Sequence, residues 1–206
     1  MRKLLTFGGL LLTGALSASC GSVVRDGRGP VFLVIDLLQG TRGSADSGTP
    51  SGTLLSDVQT LVTSPDPCSA QTPCATVFDD MGQVTLHLAQ KDVTSPAGPT
   101  SNNQVTITGY RVTFHRADGR NTPGIDVPYG FDGGVTGTVP TNGTVSLGFE
   151  LVRHMQKKES PLVQLITSPT IITTIADVTF YGRDLVGNQV SATGSISVNF
   201  GNFGDF

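Results

Sequence analysis

Three cysteines are the first residues whose type and spacing could do chemistry. Cys68 and Cys74 bracket Ser-Ala-Gln-Thr-Pro, a short loop carrying a proline. In an oxidising compartment this predicts a disulfide that acts as a local staple. Closing so short a loop limits its worth to about 2 kcal/mol on the chain-entropy argument. A redox role is disfavoured, because the spacing is not C-x-x-C and no helix start is in view to lower a thiol pKa. Two thiols are also a poor metal set. Cys20 is then the odd cysteine, and an odd cysteine in an exported chain needs its own explanation.

Histidines and acids come next. His87, His115 and His154 fall on separate segments, and strand alternation points each to a polar face. None stands in H-x-H or H-E-x-x-H spacing. There is no G-x-S-x-G elbow and no S-x-x-K signature, and the Gly-rich "GFDGGVTG" precedes no amphipathic helix that could cradle phosphate. We therefore assign no catalytic residue and expect no cofactor. The densest unusual composition lies in Arg116 to Gly134, "RADGRNTPGIDVPYGFDGG". Asp118, Asp126 and Asp132 share this stretch with Asn121, and hard oxygen ligands suit Ca²⁺. The same residues are good turn formers, which is the weightier reading, so no metal site is favoured. Arg120, Tyr129 and Phe131 in this loop form a candidate partner surface, since exposed aromatics beside Arg are typical anchors. The competing role for the two aromatics is to plug the end of a core. With no Trp and 6% aromatic residues, a flat glycan-stacking platform is poorly supplied.

The elements that must hold these residues are strands. Only 14% of residues are charged, and 26 Gly and 12 Pro accompany abundant Thr and Ser, which favours turn-rich β structure over helices. Val31 to about Leu38 reads as a strand, apolar on both faces except at Asp36. That residue is either a paired inner carboxylate or the point where the strand meets solvent. Thr41 to Thr53 is loop, Leu54 to Val62 a strand, and Asp79-Asp80-Met81-Gly82 a turn into the strand Gln83 to Gln90. There Val84, Leu86 and Leu88 face in, Thr85 and His87 face out, and the strand belongs near the middle of a sheet. Between Val105 and Phe114 the alternation slips by one at Gly109, the mark of a β-bulge or bend. Val135 to Val139 and Val145 to Leu151 are further strands, and His154 to Ser160 is a charged loop or single helical turn. The longest alternation, Ile175 to Phe200, is a hairpin about Asp184-Leu185-Val186-Gly187-Asn188. About seven or eight strands with turns between them predict an all-β antiparallel sandwich.

The closing stretch "ADVTFYGRDLVGNQVSATGSISVNF" resembles the last two strands of bacterial immunoglobulin-like or fibronectin-III-like domains, with their D-x-x-G-N turn. The resemblance implies an immunoglobulin-like β-sandwich and no particular activity. At the other end, Arg2 and Lys3, the apolar Leu4 to Leu16, and Ser17-Ala18-Ser19 read as an export signal over residues 1–19. Leu16-Ser17-Ala18-Ser19-Cys20 resembles the lipobox of bacterial lipoproteins, with the Leu one place further from the Cys than usual. That resemblance implies lipidation of Cys20, a tether over 20–29 and a sandwich domain over 30–206. Gly21 after Cys20 is not the Asp that marks inner-membrane retention in that family, which points to the outer membrane. Without lipidation the product is secreted or periplasmic. Losing Arg2 and Lys3 makes the exported chain more acidic than the −3 of the full sequence, and with no basic cluster it is a poor nucleic-acid binder. The expectation is a non-catalytic cell-envelope lipoprotein, anchored to the membrane by its lipid and serving as a structural or protein-interaction module with an envelope partner. The alternative is a carbohydrate-binding accessory domain.

Overall fold

In the computed structural model, residues 29–44, 48–94 and 99–203 are described. The signal segment, Cys20 and the tether before Gly29 lie outside them. Eleven strands, one short α-helix and two 3-10 turns (Ser101–Asn103 and Leu162–Ile166) occupy the described residues: β1 Val31–Thr41, β2 Thr53–Asp57, β3 Thr60–Val62, β4 Cys74–Thr76, β5 Asp80–Gln90, β6 Val105–His115, β7 Phe131–Gly133, β8 Gly137–Val139, β9 Thr144–Val152, α1 His154–Lys157, β10 Ile172–Asp184 and β11 Gln189–Gly201. One sheet has the order β1-β5-β9. The other runs β2-β11-β10-β6-β7, with β8 also on β6, and β3 and β4 pair separately. All pairings are antiparallel except that of β2 with β11. The all-β sandwich is thus as expected, and four three-residue strands carry the number above the seven or eight read from periodicity.

The last hairpin forms because its apolar residues share one phase. Ala176, Val178 and Phe180 on β10 and Ile196, Val198 and Phe200 on β11 are all buried, while Ser191, Thr193 and Ser195 are exposed. Phe149 on β9 meets Phe180 at 5.2 Å and Tyr110 on β6 at 5.1 Å between ring centroids, so the core lies between the two sheets. β5 is flanked by β1 and β9, the central place expected for it. Its buried phase extends back from Leu86 and Val84 through Gly82 to Asp80.

Four local expectations are corrected. Leu54 to Val62 is two strands rather than one. The fully buried Val58 interrupts the run after β2, and β3 then leaves to pair with β4. Asp80 and Gly82 belong to β5 and are not turn residues. Phe131 to Gly133 is a short strand within a stretch read as irregular. β1 continues past Leu38 to Thr41, and its register against β5 shifts between Ile35 and Leu37, so Asp36 stands at a bulge and reaches solvent. The slip near Gly109 is a bulge as well. Tyr181 faces Gly109 and Gly182 faces Ile107, leaving Thr108 unmatched.

Candidate functional site

The loop from Arg116 to β7 is held by its own polar groups. Asp118 accepts from Arg116 Nε and Nη2 at 3.1 and 2.6 Å and from Arg120 Nη2 at 2.8 Å, and Gly119 turns the chain at φ +82°. These two guanidiniums hold the Asp118 carboxyl well below the usual range. Further on, Asp126 Oδ2 accepts the Thr122 N–H at 3.1 Å while Asp126 N donates to Thr122 O at 2.8 Å. Gly124 N donates to Val127 O at 2.8 Å, and the Tyr129 ring covers Gly124 where any side chain would collide with it. This is a knotted loop whose shape its own side chains dictate. Arg120 is engaged with Asp118, which leaves its guanidinium exposed but fixed.

The two loop aromatics part company. Phe131 packs edge-on against Tyr110 at 6.2 Å and lies under the Arg153 guanidinium at 4.0 Å, so it seals the rim of the core. Tyr129 is 56% exposed. In the same loop Ile125 is 70% exposed. The Tyr129 carbonyl accepts Gln156 Nε2 at 2.5 Å, which brings α1 alongside, and Met155 next to that glutamine is 52% exposed. Around them is a charged frame. Arg111 clamps Asp132 through two bonds of 2.8 and 2.9 Å, and Arg153 reaches Glu150 at 3.1 Å and the Asp132 carbonyl at 2.9 Å. The Arg111 bonds draw the Asp132 carboxyl below its ordinary value.

Asp118, Asp126 and Asp132 are therefore not brought together as a ligand set: two face arginines and one caps its own turn. No group of three or more His, Cys, Asp or Glu suited to a metal ion occurs among the described residues. Each histidine meets a carboxylate instead: His87 and Asp36 at 2.7 Å, His115 and Asp177 at 3.2 Å, His154 and Asp79 at 2.9 Å. Cys68 and Cys74 are joined, with Sγ atoms 2.05 Å and Cα atoms 5.3 Å apart.

Sequence reading missed a buried ion pair. Lys157, at the end of α1, is 1% exposed, and its Nζ lies 2.9 Å from Oδ1 of Asp80, which is fully buried. The same Oδ1 accepts the Gly43 N–H at 2.8 Å, and Oδ2 accepts the Ser56 hydroxyl at 2.5 Å. Burial pushes the Asp80 carboxyl up, against the pull of Lys157 and the two hydrogen bonds. A signal for Asp80 existed, since it shares the phase of Val84 and Leu86. For Lys157, in the charged run Lys157-Lys158-Glu159, none did.

Two shallow clefts meet along the start of β11. One, of about 310 Å³, is lined by Thr108, Tyr181, Arg183, Gln189 and Ser191. The other, of about 260 Å³, adds Phe32 with Lys91 set 4.9 Å from its ring centre. Compared with family models, with curated proteins and with solved structures, the chain matches none.

Proposed function

We propose that this chain is a non-catalytic cell-envelope module that binds another protein through the Arg116 to Gly134 loop and the adjoining α1. The observation that carries the reading is the set of exposed apolar side chains Ile125 and Tyr129, on a loop already fixed by Asp118, Asp126 and Gly124, and Met155 on the adjoining α1. Apolar anchors on a preorganised loop lose little entropy on docking, and a rim of charged pairs is the usual surround of such anchors. Within it Phe131 supports the loop from below. The order β1-β5-β9 facing β11-β10-β6 corresponds to strands A-B-E and G-F-C of an immunoglobulin-like sandwich, which supports that family reading. Attachment through a lipid on Cys20, with the outer membrane as address, belongs to the same proposal and rests on the sequence.

The test is a cross-linked co-purification from whole envelopes with the native chain, Cys20→Ser, and a Tyr129→Ala/Ile125→Ser pair. A stoichiometric protein partner, lost on the loop substitutions while the melting temperature holds, is the expected result. Recovery of the chain alone, soluble from the native and Cys20→Ser forms alike, would sink the tethered-module reading.

A carbohydrate-binding role is the second reading, favoured by one feature. Phe32 and Tyr181, both exposed, flank the polar clefts beside Gln189 and Ser191, an arrangement of ring faces and hydroxyl partners suited to a sugar. Glycan-array binding that disappears in Tyr181→Ala would move this reading to the front.

A further inference from the structure

We propose that Lys157 and Asp80 condense after folding into an intramolecular amide cross-link, with the release of one water. The inference does not depend on what the loop binds. It begins with the cost of the alternative. An ammonium and a carboxylate removed from water together carry a desolvation penalty that their attraction only partly offsets. Proton transfer within the pair gives a neutral amine and a neutral carboxylic acid, which suit the dry interior far better. Those two species are also a nucleophile and an electrophile.

The geometry supplies the rest. Nζ is in hydrogen-bond contact with Oδ1 at 2.9 Å, so a small swing over the carboxyl face brings it to the near-attack separation of about 3–3.5 Å. Groups held in this way react as though present at an effective molarity of about 10⁵–10⁸ M. Both side chains are essentially inaccessible, so water neither hydrates the amine nor favours the reverse hydrolysis by mass action. Both carboxyl oxygens already have partners suited to their parts in the reaction. Oδ1, where negative charge develops as nitrogen adds to Cγ, faces the Gly43 N–H at 2.8 Å, as an oxyanion faces a backbone donor. Oδ2, the oxygen to be expelled, is bonded to the Ser56 hydroxyl at 2.5 Å, a group able to donate and accept.

The step balances without any co-reactant. The ammonium first gives one proton to the carboxylate, which then carries it on Oδ2 as a neutral acid with its carbonyl at Oδ1. The amine lone pair then forms the N–Cγ bond, and the electrons of the Cγ–Oδ1 double bond move to Oδ1. One of the two protons on the added nitrogen passes to Oδ2, which the Ser56 hydroxyl holds, the Cγ–Oδ2 bond breaks, and water leaves as the carbonyl re-forms at Oδ1. The product keeps one N–H on nitrogen and its bond from Gly43. It joins the start of β5 to the end of α1 across a sequence separation of 77 residues.

Intact mass spectrometry of the reduced, folded full chain, with peptide mapping, decides the matter. The expected result is a branched peptide holding both Asp80 and Lys157, lighter by the mass of one water than its two parts. In Lys157→Arg, which keeps the charge but leaves no primary amine to condense, that peptide and its mass deficit should vanish. Separate, full-mass Asp80 and Lys157 peptides from the native folded chain would overturn the proposal. So would a water deficit that persists in Lys157→Arg. Because the decisive reading is made on the native chain, poor folding of the variant cannot obscure it.

Discussion

The Cζ end of the Phe149 ring points at the backbone of Gly82, its cross-strand neighbour on β5. A methyl group at 82 would lie 2.3 Å from Cζ, a clash, and the ring is packed against both Tyr110 and Phe180. Gly82→Ala should therefore destabilise the fold by about 1–3 kcal/mol through overpacking, although the backbone there suits any residue. A urea melt checks this, and an unchanged midpoint would mean that the aromatic cluster yields more easily than close packing allows.

Lys157 and Asp80 give a second prediction with a pH signature. Burial raises the Asp80 carboxyl in the folded state, and Lys157 is the strongest influence against it. A carboxyl raised by folding stabilises fully below its unfolded pKa, and that contribution is lost as the pH rises through the folded value. Lys157→Met removes the partner of Asp80, whether ion or amide, and leaves the buried carboxyl free to titrate. It should cost about 3–5 kcal/mol at neutral pH, the usual toll for orphaning one buried ion, and noticeably less in acid, where Asp80 is protonated. Denaturation of both chains across this range tests it; a defect independent of pH would mean that the methionine fails by packing alone.

Most of the architecture was legible in the sequence because it depends on period-two alternation. The β10–β11 hairpin, the central place of β5 and the bulge beside Gly109 all follow from which phase is apolar. The site was less legible because it depends on contacts between distant segments. Nothing local marks Lys157 as different from Lys158, and it meets Asp80 only when α1 is brought to the start of β5. Asp79-Asp80 reads as a turn by composition, yet their fates diverge by phase, Asp80 inward to Lys157 and Asp79 outward to His154. Tyr129 and Phe131 were indistinguishable as neighbours in one phase. They were separated only by β7, which presses Phe131 against Tyr110.

Asp79 provides a test with the opposite sign. Burial raises its carboxyl, but the His154 N–H at 2.6 Å, the His154 ring at 2.9 Å and the charges of His154 and Lys157 together bring it below its ordinary value. A depressed carboxyl contributes stability above its unfolded pKa and loses it as the pH falls through the folded value. The side chain is more than a third exposed, so solvent screening trims the effect to about 1 kcal/mol. Asp79→Ala should show that loss at neutral pH, and the gap from the native chain should close in acid. Proton titration followed by NMR would give the depressed value directly.

In the turn of the final hairpin one carboxylate organises the backbone. Asp184 is buried, and its Oδ1 accepts the N–H groups of Val186 at 3.0 Å and Asn188 at 2.8 Å, while Oδ2 accepts Asn188 Nδ2 at 2.6 Å. Gly187 completes the turn at φ +90°, where a Cβ is strained. Asp184→Ala leaves those donors without their acceptor and should cost about 1–3 kcal/mol. Gly187→Ala should cost upwards of about 1 kcal/mol from backbone strain alone. The two substitutions act on one turn, so their effects should fall short of additive, because the second removes geometry that the first has already loosened. Equilibrium melts of the two singles and the double measure this, and strict additivity would show that the carboxylate and the glycine act independently.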